Sequence, residues 1–362
     1  MKVLIAYNFL TEEAHVEAPN FYRSCAEQIF PKYGIETTFL PNLREHLFFR
    51  LLLFVKVKEF HALTASIAWW IFCNGHRFDI IVGWVSNGII AALLKFFLPW
   101  RRTRVCLILY KLPNDNQRGL MVSIKKLVIN IASRGADLLL ALDKTQADFF
   151  AKTLCRKKET TQALRYGIDT NWYDIIVQHQ RPRTTTRSIF CPGSAYRDDK
   201  TLELAIIDLD VHVNKFQLDK SRVFTITKTM VGKACIEKFY NAPYARYMTE
   251  CQSASIVVIS VANANKPVGL TSLLECMALG CAVIIPRGAS SNDYVRDGVT
   301  ALLYQEGNWK ELRQKIDHLF NNPDIANKIR IAARESVQTE FGLNTCGQLF
   351  SRSLYEMKMT NA

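Results

Sequence analysis

Several features that would assign a protein to a class at once are missing from this chain of 362 residues. Its ten cysteines form no Cys-x-x-Cys pair and no histidine and cysteine cluster of metal-binding spacing, which indicates reduced thiols in a cytoplasmic protein. No internal repeat or low-complexity stretch occurs, and no nucleic-acid recognition motif is present, so we expect no nucleic acid as a partner. The N-terminal run MKVLIAYNF is too short for a signal peptide and predicts a first strand.

The length and composition indicate two folded α/β units. Hydrophobic residues make up 49% and charged residues 22% of the chain, which is the balance of a globular protein. A chain of this length exceeds one ordinary core, whereas two units of about 150 to 200 residues account for it. Apolar runs alternate with helical patterns in both halves. Strands are predicted at 1–8, 35–40, 78–84, 103–110, 136–142, 187–193, 222–228, 255–261, 281–286 and 301–303.

The segment from Asn265 to Pro286 is the most informative part of the sequence. Gly269 precedes apolar residues at helical spacing around Glu275, Gly280 ends that helix, and a β-branched run follows as a buried strand. A carboxylate on such a helix can accept two sugar hydroxyls, while the N–H groups of the first turn attract a phosphate. The pattern therefore favours a nucleotide-sugar site over a solvated glutamate.

The segment from Ser188 to Ile206 adds candidate residues for the diphosphate part of such a site. It predicts a strand, a turn at Gly193 and Ser194, and a helix from about Asp198. Glycine lets the backbone approach a diphosphate, while Arg197 offers a planar pair of donors and Lys200 a compact charge. We expect both cations on a surface-facing turn at the carboxyl end of the strand, where open α/β sheets bind ligands.

These segments together resemble the C-terminal half of the retaining glycosyltransferases of family 4, also called glycosyl transferases group 1. The residues that match the family's donor-binding segment are Gly269, Leu270, Glu275, Met277, Ala278, Gly280, Val283 and Ile284. Arg197 and Lys200 match its pyrophosphate-binding pair, and Gly167 and Asp169 match a pattern at the end of its N-terminal domain. Pro267 stands where the family has the first glutamate of its Glu-x7-Glu pair, so the contact to the transferred hexose differs.

The resemblance implies an α/β protein of the GT-B fold, with two Rossmann-like doubly wound domains facing a central cleft. The implied bounds are 1–180 for an acceptor domain, 181–342 for a nucleotide-sugar domain, and 343–362 for a helix that crosses back to the first. It also implies a retaining, metal-independent hexosyl transfer from a UDP- or GDP-linked sugar to a glycan, lipid-linked or small-molecule acceptor. The implied catalytic residues are Arg197 and Lys200. The implied donor-binding residues are Gly193, Ser194, Gly269, Leu270, Thr271, Glu275 and, with least support, Lys228.

Two other functions remain open at this stage. A GT-B epimerase would share the donor site but would need an acid and a base carboxylate, and no such pair is evident in the sequence. A non-catalytic subunit that binds a glycosyltransferase partner is favoured only by the missing first glutamate.

The charge distribution bears on where the acceptor is found. The net charge is +13, and aromatic residues are mixed with cations at 44–60 and 95–104. Such segments are typical of a membrane interface, although Arg50, Lys56, Lys58 and Glu59 interrupt the first one too often for a membrane span. Packing of the aromatics in a core would give the same sequence. We therefore expect a cytoplasmic protein, with peripheral contact to the inner membrane face as the alternative to core packing of these aromatics.

Overall fold

The computed structural model describes residues 1–6, 20–98, 102–110, 112, 119–178, 187–219, 223–264 and 266–359. These residues form two compact units. The first contains the initial strand, Tyr22–Arg165 and the residues from Gly347 on, and the second contains Tyr166–Cys346. The boundary expected at 180/181 thus lies inside the second unit, and residues 179–186 around it lie outside the described residues.

The first unit is built on a parallel sheet of six described strands. Their bounds are β1 (Lys2–Ala6), β2 (Glu36–Phe39), β3 (Ile80–Trp84), β4 (Arg104–Ile108), β5 (Leu138–Ala141) and β6 (Thr161–Ala163). The order in the sheet is β2-β1-β3-β4-β5-β6, and every pair is parallel. Strands β3, β4 and β5 are almost wholly buried, because helices cover both faces of a doubly wound sheet.

Six described helices accompany this sheet. They are α1 (Phe21–Ser24), α2 (Leu47–Phe54), α3 (Glu59–Asn74), α4 (Val85–Phe97), α5 (Leu120–Gly135) and α6 (Lys144–Thr153). A π-helical turn at Cys25–Ile29 and a 3-10 turn at Phe30–Tyr33 follow α1, so the helical segment between β1 and β2 is irregular in its described part.

The second unit contains a seven-stranded sheet. Its strands are β7 (Ser188–Cys191), β8 (His212–Gln217), β9 (Thr225–Val231), β10 (Ala234–Tyr240), β11 (Ile256–Val258), β12 (Val283–Pro286) and β13 (Leu302–Tyr304). Its helices are α7 (Thr170–Gln178), α8 (Asp199–Ile206), α9 (Tyr244–Ser253), α10 (Leu270–Ala278), α11 (Ala289–Asn292), α12 (Trp309–Asn321) and α13 (Pro323–Glu340). A last helix, α14 (Leu343–Met359), starts in the second unit and continues into the first, where Phe350 packs on Tyr22 and Phe30.

The strand order of the second sheet fixes where its ligand site should lie. The order is β13-β12-β11-β7-β8-β10-β9, with all neighbours parallel except the antiparallel pair of β10 and β9. The direction of strand succession reverses between β7 and β11. In open α/β sheets, ligands bind outside the carboxyl ends of the strands at such a reversal. A ligand is therefore expected at the segments that follow Cys191 and Val258.

The predicted fold class of two Rossmann-like units is confirmed. All ten predicted strands are present, with residues 7 and 8 of the first outside the described residues. Strand β9 was placed wrongly, because it runs to Val231 and does not end at Lys228. Strands β6, β8 and β10 were not predicted. Strand β8 contains the polar residues Asn214 and Lys215, so it lacks the apolar run of a central strand.

No helix in the described parts of the chain has both the length and the apolar character needed to cross a bilayer.

Candidate functional site

The turn after β7 places an arginine at the carboxyl end of the central strands. Gly193 has a φ of 74°, a left-handed conformation that glycine adopts without strain. The chain then turns back, and Nε of Arg197 donates hydrogen bonds to the carbonyl oxygens of Pro192 (2.8 Å) and Gly193 (3.1 Å). The guanidinium therefore folds over its own turn and does not extend into solvent.

Hydrogen bonds to the segment after β11 hold this turn in place. The backbone N–H of Ala262 donates to the carbonyl oxygen of Tyr196 (2.8 Å), and that of Asp198 donates to Ser260 (3.1 Å). The Ser260 hydroxyl donates back to the carbonyl oxygen of Asp198 (2.8 Å). The position of Arg197 is thus determined by both strands that flank the reversal in the sheet.

The start of α10 lies against the same guanidinium. A Cβ atom on Gly193 would lie 2.3 Å from Nη2 of Arg197 and 3.3 Å from the Ser272 hydroxyl oxygen. A Cβ on Gly269 would lie 3.4 Å from Nη1 of Arg197. Gly269 has a φ of 76° and is the N-cap of α10. Both glycines therefore allow the close approach of Arg197 to the positive end of a helix.

Arg197 is partly buried and incompletely paired. Its Nη1 is inaccessible to solvent and has no hydrogen-bond partner among the described residues. Burial lowers the pKa of the guanidinium, and nearby Tyr247, Cys191 and Cys276 partly oppose this effect. The turn faces the surface, as expected, with Ala195 and Tyr196 exposed, whereas the Arg197 side chain is only partly accessible. A partly buried cation beside a helix N-terminus is a strong site for an anion, because both attract negative charge.

Lys200 contributes a second cation at the start of α8. Asp198 caps this helix by accepting hydrogen bonds from the N–H (3.1 Å) and the hydroxyl (2.6 Å) of Thr201. Asp199 pairs with the buried ammonium of Lys215 from β8. Lys200 is exposed, as predicted, so its charge is available to a ligand at this end of the sheet.

Glu275 lies in α10 behind this turn, enclosed by tyrosines. Its two carboxylate oxygens accept hydrogen bonds from the hydroxyls of Tyr244 (3.2 Å) and Tyr247 (3.0 Å). The hydroxyl of Tyr173, from α7, lies 3.0 Å from that of Tyr244. Only 9% of Glu275 is accessible. Each carboxylate oxygen has two acceptor positions, so the two tyrosine bonds leave acceptor capacity for a ligand hydroxyl.

The enclosure changes the titration of these groups. Burial raises the pKa of Glu275 to about 7, although hydrogen bonds from the tyrosines act in the opposite direction. Burial and the nearby Glu275 carboxylate raise the pKa values of Tyr173, Tyr244 and Tyr247, which therefore stay protonated as donors. Tyr247 links the two halves of the site, because it donates to Glu275 and also interacts electrostatically with Arg197.

The remaining predicted residues fall into three groups. Ser194 and Thr271 are partly or fully exposed beside the two glycines. The Leu270 side chain is buried, so only its backbone N–H at the start of α10 can serve a ligand. Lys228 is separate from the others, because it lies on β9 at the edge of the sheet, where its ammonium is 3.6 Å from Glu237. The binding roles of all of these residues stay predictions.

Sequence analysis missed Ser272 and the three tyrosines. Tyr244 and Tyr247 are three residues apart on α9, and their rings stack with centroids 5.3 Å apart. That spacing puts both on one helix face, but it carries no sign that the face meets a glutamate. The described residues at this end of the sheet thus combine two cations, a helix N-terminus and a carboxylate with hydroxyl donors. Such an arrangement suits a ligand with a diphosphate and a sugar.

Comparison with known proteins is consistent with this geometry. Residues 223–336 match the family described as Glycosyl transferases group 1. No curated protein sequence matches the chain. The predicted GT-B fold is confirmed, and the predicted resemblance to group 1 glycosyltransferases is matched over residues 223–336 of the second unit.

Solved structures resemble the chain over almost its whole length. Sucrose-phosphate synthase from Thermosynechococcus elongatus is 14% identical with a TM-score of 0.71, and the match covers 100% of both chains. Anabaena HepE, crystallised in complex with UDP-glucose, is 15% identical with a TM-score of 0.68, covering 98% of this chain and 100% of that one. A Listeria monocytogenes structure described as a putative UDP-N-acetylglucosamine 2-epimerase is 11% identical with a TM-score of 0.59, covering 100% and 97%. At these identities the likeness concerns the fold.

Proposed function

We propose that this protein transfers a sugar from a UDP- or GDP-linked donor to an acceptor hydroxyl, with retention of the anomeric configuration. The observation that carries this proposal is the partly buried guanidinium of Arg197, whose Nη1 has no partner among the described residues and which is held against Gly193 and Gly269 at the reversal of the second sheet. HepE, with a similar fold, was crystallised with UDP-glucose, which supports a donor of that class.

In this proposal Arg197 and Lys200 act on the leaving diphosphate. The bond between the anomeric carbon and the diphosphate oxygen breaks, and its electron pair goes to that oxygen. The acceptor hydroxyl bonds to the anomeric carbon on the same face and transfers its proton to the departing diphosphate. Cations fixed by the fold stabilise the developing charge without reorganisation, which is the most effective electrostatic contribution to catalysis. The two protein cations take the place of a metal ion at the diphosphate.

Glu275 would hold the ribose hydroxyls of the donor. Its ionised carboxylate is a strong acceptor, and the surrounding tyrosines fix its orientation. Its raised pKa means that it is only partly ionised near pH 7, so an arriving hydroxyl pair favours the charged form. Pro267 replaces the carboxylate that would contact the transferred sugar, so the hexose must find other partners.

The acceptor in this proposal is held at a membrane surface. Exposed apolar side chains occur on α2, where Leu47, Leu51 and Phe54 are 79%, 55% and 84% accessible. Arg50 and Lys56 are exposed close by in the sequence. Phe96 and Phe97 at the end of α4 are also exposed, whereas Phe49 is buried, so the core-packing alternative accounts for only some of these aromatics. Trp100 and Arg101 lie outside the described residues.

The test is an incubation of the purified protein with a panel of nucleotide sugars, in the presence and absence of a chelator. We expect release of nucleoside diphosphate from one donor, unaffected by the chelator, and an Arg197→Ala variant that releases far less. A product sugar of inverted configuration would exclude retention. An epimerised nucleotide sugar without diphosphate release would indicate an epimerase. Donor binding without any reaction, across an acceptor panel that includes lipid-linked sugars, would indicate a non-catalytic subunit.

A further inference from the structure

Three possible metal ligands converge on the second sheet, away from the donor site. They are His212 at the start of β8, and Cys235 and Glu237 on β10. Their ligand atoms all lie within 4.8 Å of one another, and Nε2 of His212 is 3.7 Å from a carboxylate oxygen of Glu237. Ligand atoms around a tetrahedral zinc ion are about 3.3 to 3.7 Å apart, given bond lengths of about 2.0 to 2.3 Å. Small side-chain movements would therefore close the site.

The strand register explains why these residues meet. His212 is the direct neighbour of Cys235 in the parallel pair of β8 and β10, and Asn214 is the neighbour of Glu237. Alternate residues of a strand share one face, so all four side chains are on the same face of the sheet. The cluster is therefore fixed by backbone pairing and not by a flexible loop. Sequence spacing missed it, because more than twenty residues separate the histidine from the cysteine.

A second observation points to the same place. His212, Asn214 and Glu237 line a cavity of about 240 Å³, together with Arg246 and Glu250. The side-chain oxygen of Asn214 is buried and has no partner among the described residues. Its amide nitrogen donates to Glu250 (2.6 Å), which also pairs with Arg246 (2.6 Å). The cavity thus offers room for water beside the cluster and an oxygen able to accept a hydrogen bond from it.

The charges around the cluster are compatible with a divalent cation. Glu237 uses one oxygen towards His212 and the other towards Lys228, whose ammonium is 3.6 Å away. The first oxygen can bind a metal while the second stays paired with Lys228, as outer-shell partners of metal-bound carboxylates do. Glu250 is already neutralised by Arg246. A thiolate, an imidazole and a carboxylate form a ligand set that suits Zn²⁺ better than Mg²⁺ or Ca²⁺.

We propose that His212, Cys235 and Glu237 form a zinc-binding site, with water from the adjacent cavity as the fourth ligand. The site lies near the amino ends of β8 and β10, whereas Gly193 and Arg197 follow the carboxyl end of β7. It is therefore separate from the proposed donor site and serves to clamp β8 to β10. This inference does not depend on the reaction that the protein catalyses.

The experiment is a titration of the chelator-treated, reduced full-length protein with Co²⁺, followed by displacement with Zn²⁺. We expect one tightly bound Co²⁺, a thiolate-to-cobalt charge-transfer absorption, and loss of that absorption when Zn²⁺ is added. Zn²⁺ should also raise the midpoint of thermal unfolding, because it binds the folded state. Absence of the charge-transfer band from the native protein would overturn the proposal.

Three variants and one control identify the ligands. Cys235→Ser should abolish the charge-transfer band, and His212→Gln and Glu237→Gln should each weaken Co²⁺ binding at least tenfold while keeping the band at high metal concentration. The double variant Cys73→Ser and Cys155→Ser removes two exposed thiols outside the cluster and should leave binding unchanged. If Cys235→Ser does not fold, the two Gln variants decide. Native Co²⁺ affinity in both Gln variants would overturn the assignment. Loss of the charge-transfer band in the Cys73→Ser and Cys155→Ser double variant would overturn it as well.

Discussion

A Cβ atom on Gly193 would lie 2.3 Å from the Nη2 atom of Arg197, closer than any stable contact. The glycine therefore makes room for the arginine, and the arginine in turn donates to the carbonyl oxygen of Gly193 (3.1 Å). Two residues of one short turn thus depend on each other. The proposed diphosphate contact rests on this arrangement.

Gly193→Ala should displace the Arg197 guanidinium and reduce turnover by at least tenfold. The added methyl group must move Nη2, and a mispositioned cation loses much of its effect on the transition state. Steady-state kinetics with the identified donor provide the measurement.

Gly307→Ala is the matched control for backbone strain. Gly307 has a φ of 76°, against 74° for Gly193, but a Cβ there would meet nothing within 4 Å. Both variants should lose a similar free energy of unfolding from the left-handed conformation, about 1 to 3 kcal/mol. Equal turnover in the two variants would show that the contact with Arg197 is irrelevant.

Lys200→Ala should lower kcat by about 100- to 1000-fold, the cost of removing one donor aimed at a developing anion. Because the side chain is exposed, its removal should change the free energy of unfolding by no more than about 0.5 kcal/mol. Lys328→Ala, which removes an exposed lysine from α13, should affect neither quantity. Turnover of Lys200→Ala within threefold of the native value would remove Lys200 from the proposed site.

Glu275 should make the protein less stable as the pH rises from about 4.5 to 7. The carboxyl has a pKa of about 7 in the folded state and a reference value of 4.5, so the folded state binds more protons in that window. The free energy of unfolding therefore falls with rising pH, by about 3 kcal/mol in total at 1.36 kcal/mol per pKa unit. This is opposite to the usual behaviour of a carboxyl whose pKa is lowered by folding.

Comparison with Glu275→Gln isolates this effect, because contributions from other groups cancel. Denaturant unfolding from about pH 4.5 to 8 should show the variant gaining up to about 3 kcal/mol relative to the native protein. Glu335→Gln, at an exposed position of α13, should show no such trend. A stability difference between Glu275→Gln and the native protein that does not vary with pH would refute the buried carboxylate.

Binding to anionic vesicles should depend on α2 and on the residues that directly follow it. Each cation near an anionic leaflet contributes about 1 kcal/mol, so Arg50→Ser and Lys56→Ser should each weaken binding about fivefold at low salt. Phe54→Ser should weaken it through lost apolar burial. Lys328→Ser is the control for a general loss of charge. Arg104 is unsuitable for this test, because it pairs with Asp137 (3.0 Å). If the fraction of protein that co-sediments with vesicles is unchanged in these three variants, the side chains have no role in membrane binding.

Much of the fold could be predicted because its signals are local. The buried run of β12, the glycine at the start of α10 and the aspartate cap of α8 each follow from adjacent residues. Strands β8 and β10 are interrupted by adjacent polar residues, which include Lys215 and Glu237, so they lack the apolar run of a central strand. Their pairing, however, brings His212 beside Cys235. A cluster produced by register cannot be read from spacing along the chain.

The sequence predicted which glycines and charged residues belong to the candidate site. It did not predict how far these residues are buried or which side chains surround them. Arg197 was expected on a surface-facing turn, and the turn does face the surface, yet contacts with Gly269 and Val261 partly bury the arginine. The tyrosines around Glu275 come from α7 and α9, which are distant from α10 in sequence. Burial and pKa depend on such long-range packing, and periodicity in one segment does not reveal it.

Calorimetry tests the central claim most directly. It compares the affinity for UDP with that for UMP, and the affinity for GDP with that for GMP. For one of the two pairs, the native protein should bind the diphosphate about 10- to 150-fold more tightly, the range for hydrogen bonds to charged groups of about 1.5 to 3 kcal/mol. In a folded Arg197→Ala variant that preference should fall close to one, while monophosphate binding is retained. A variant that keeps the native preference, or a native protein that binds neither pair, would contradict the account.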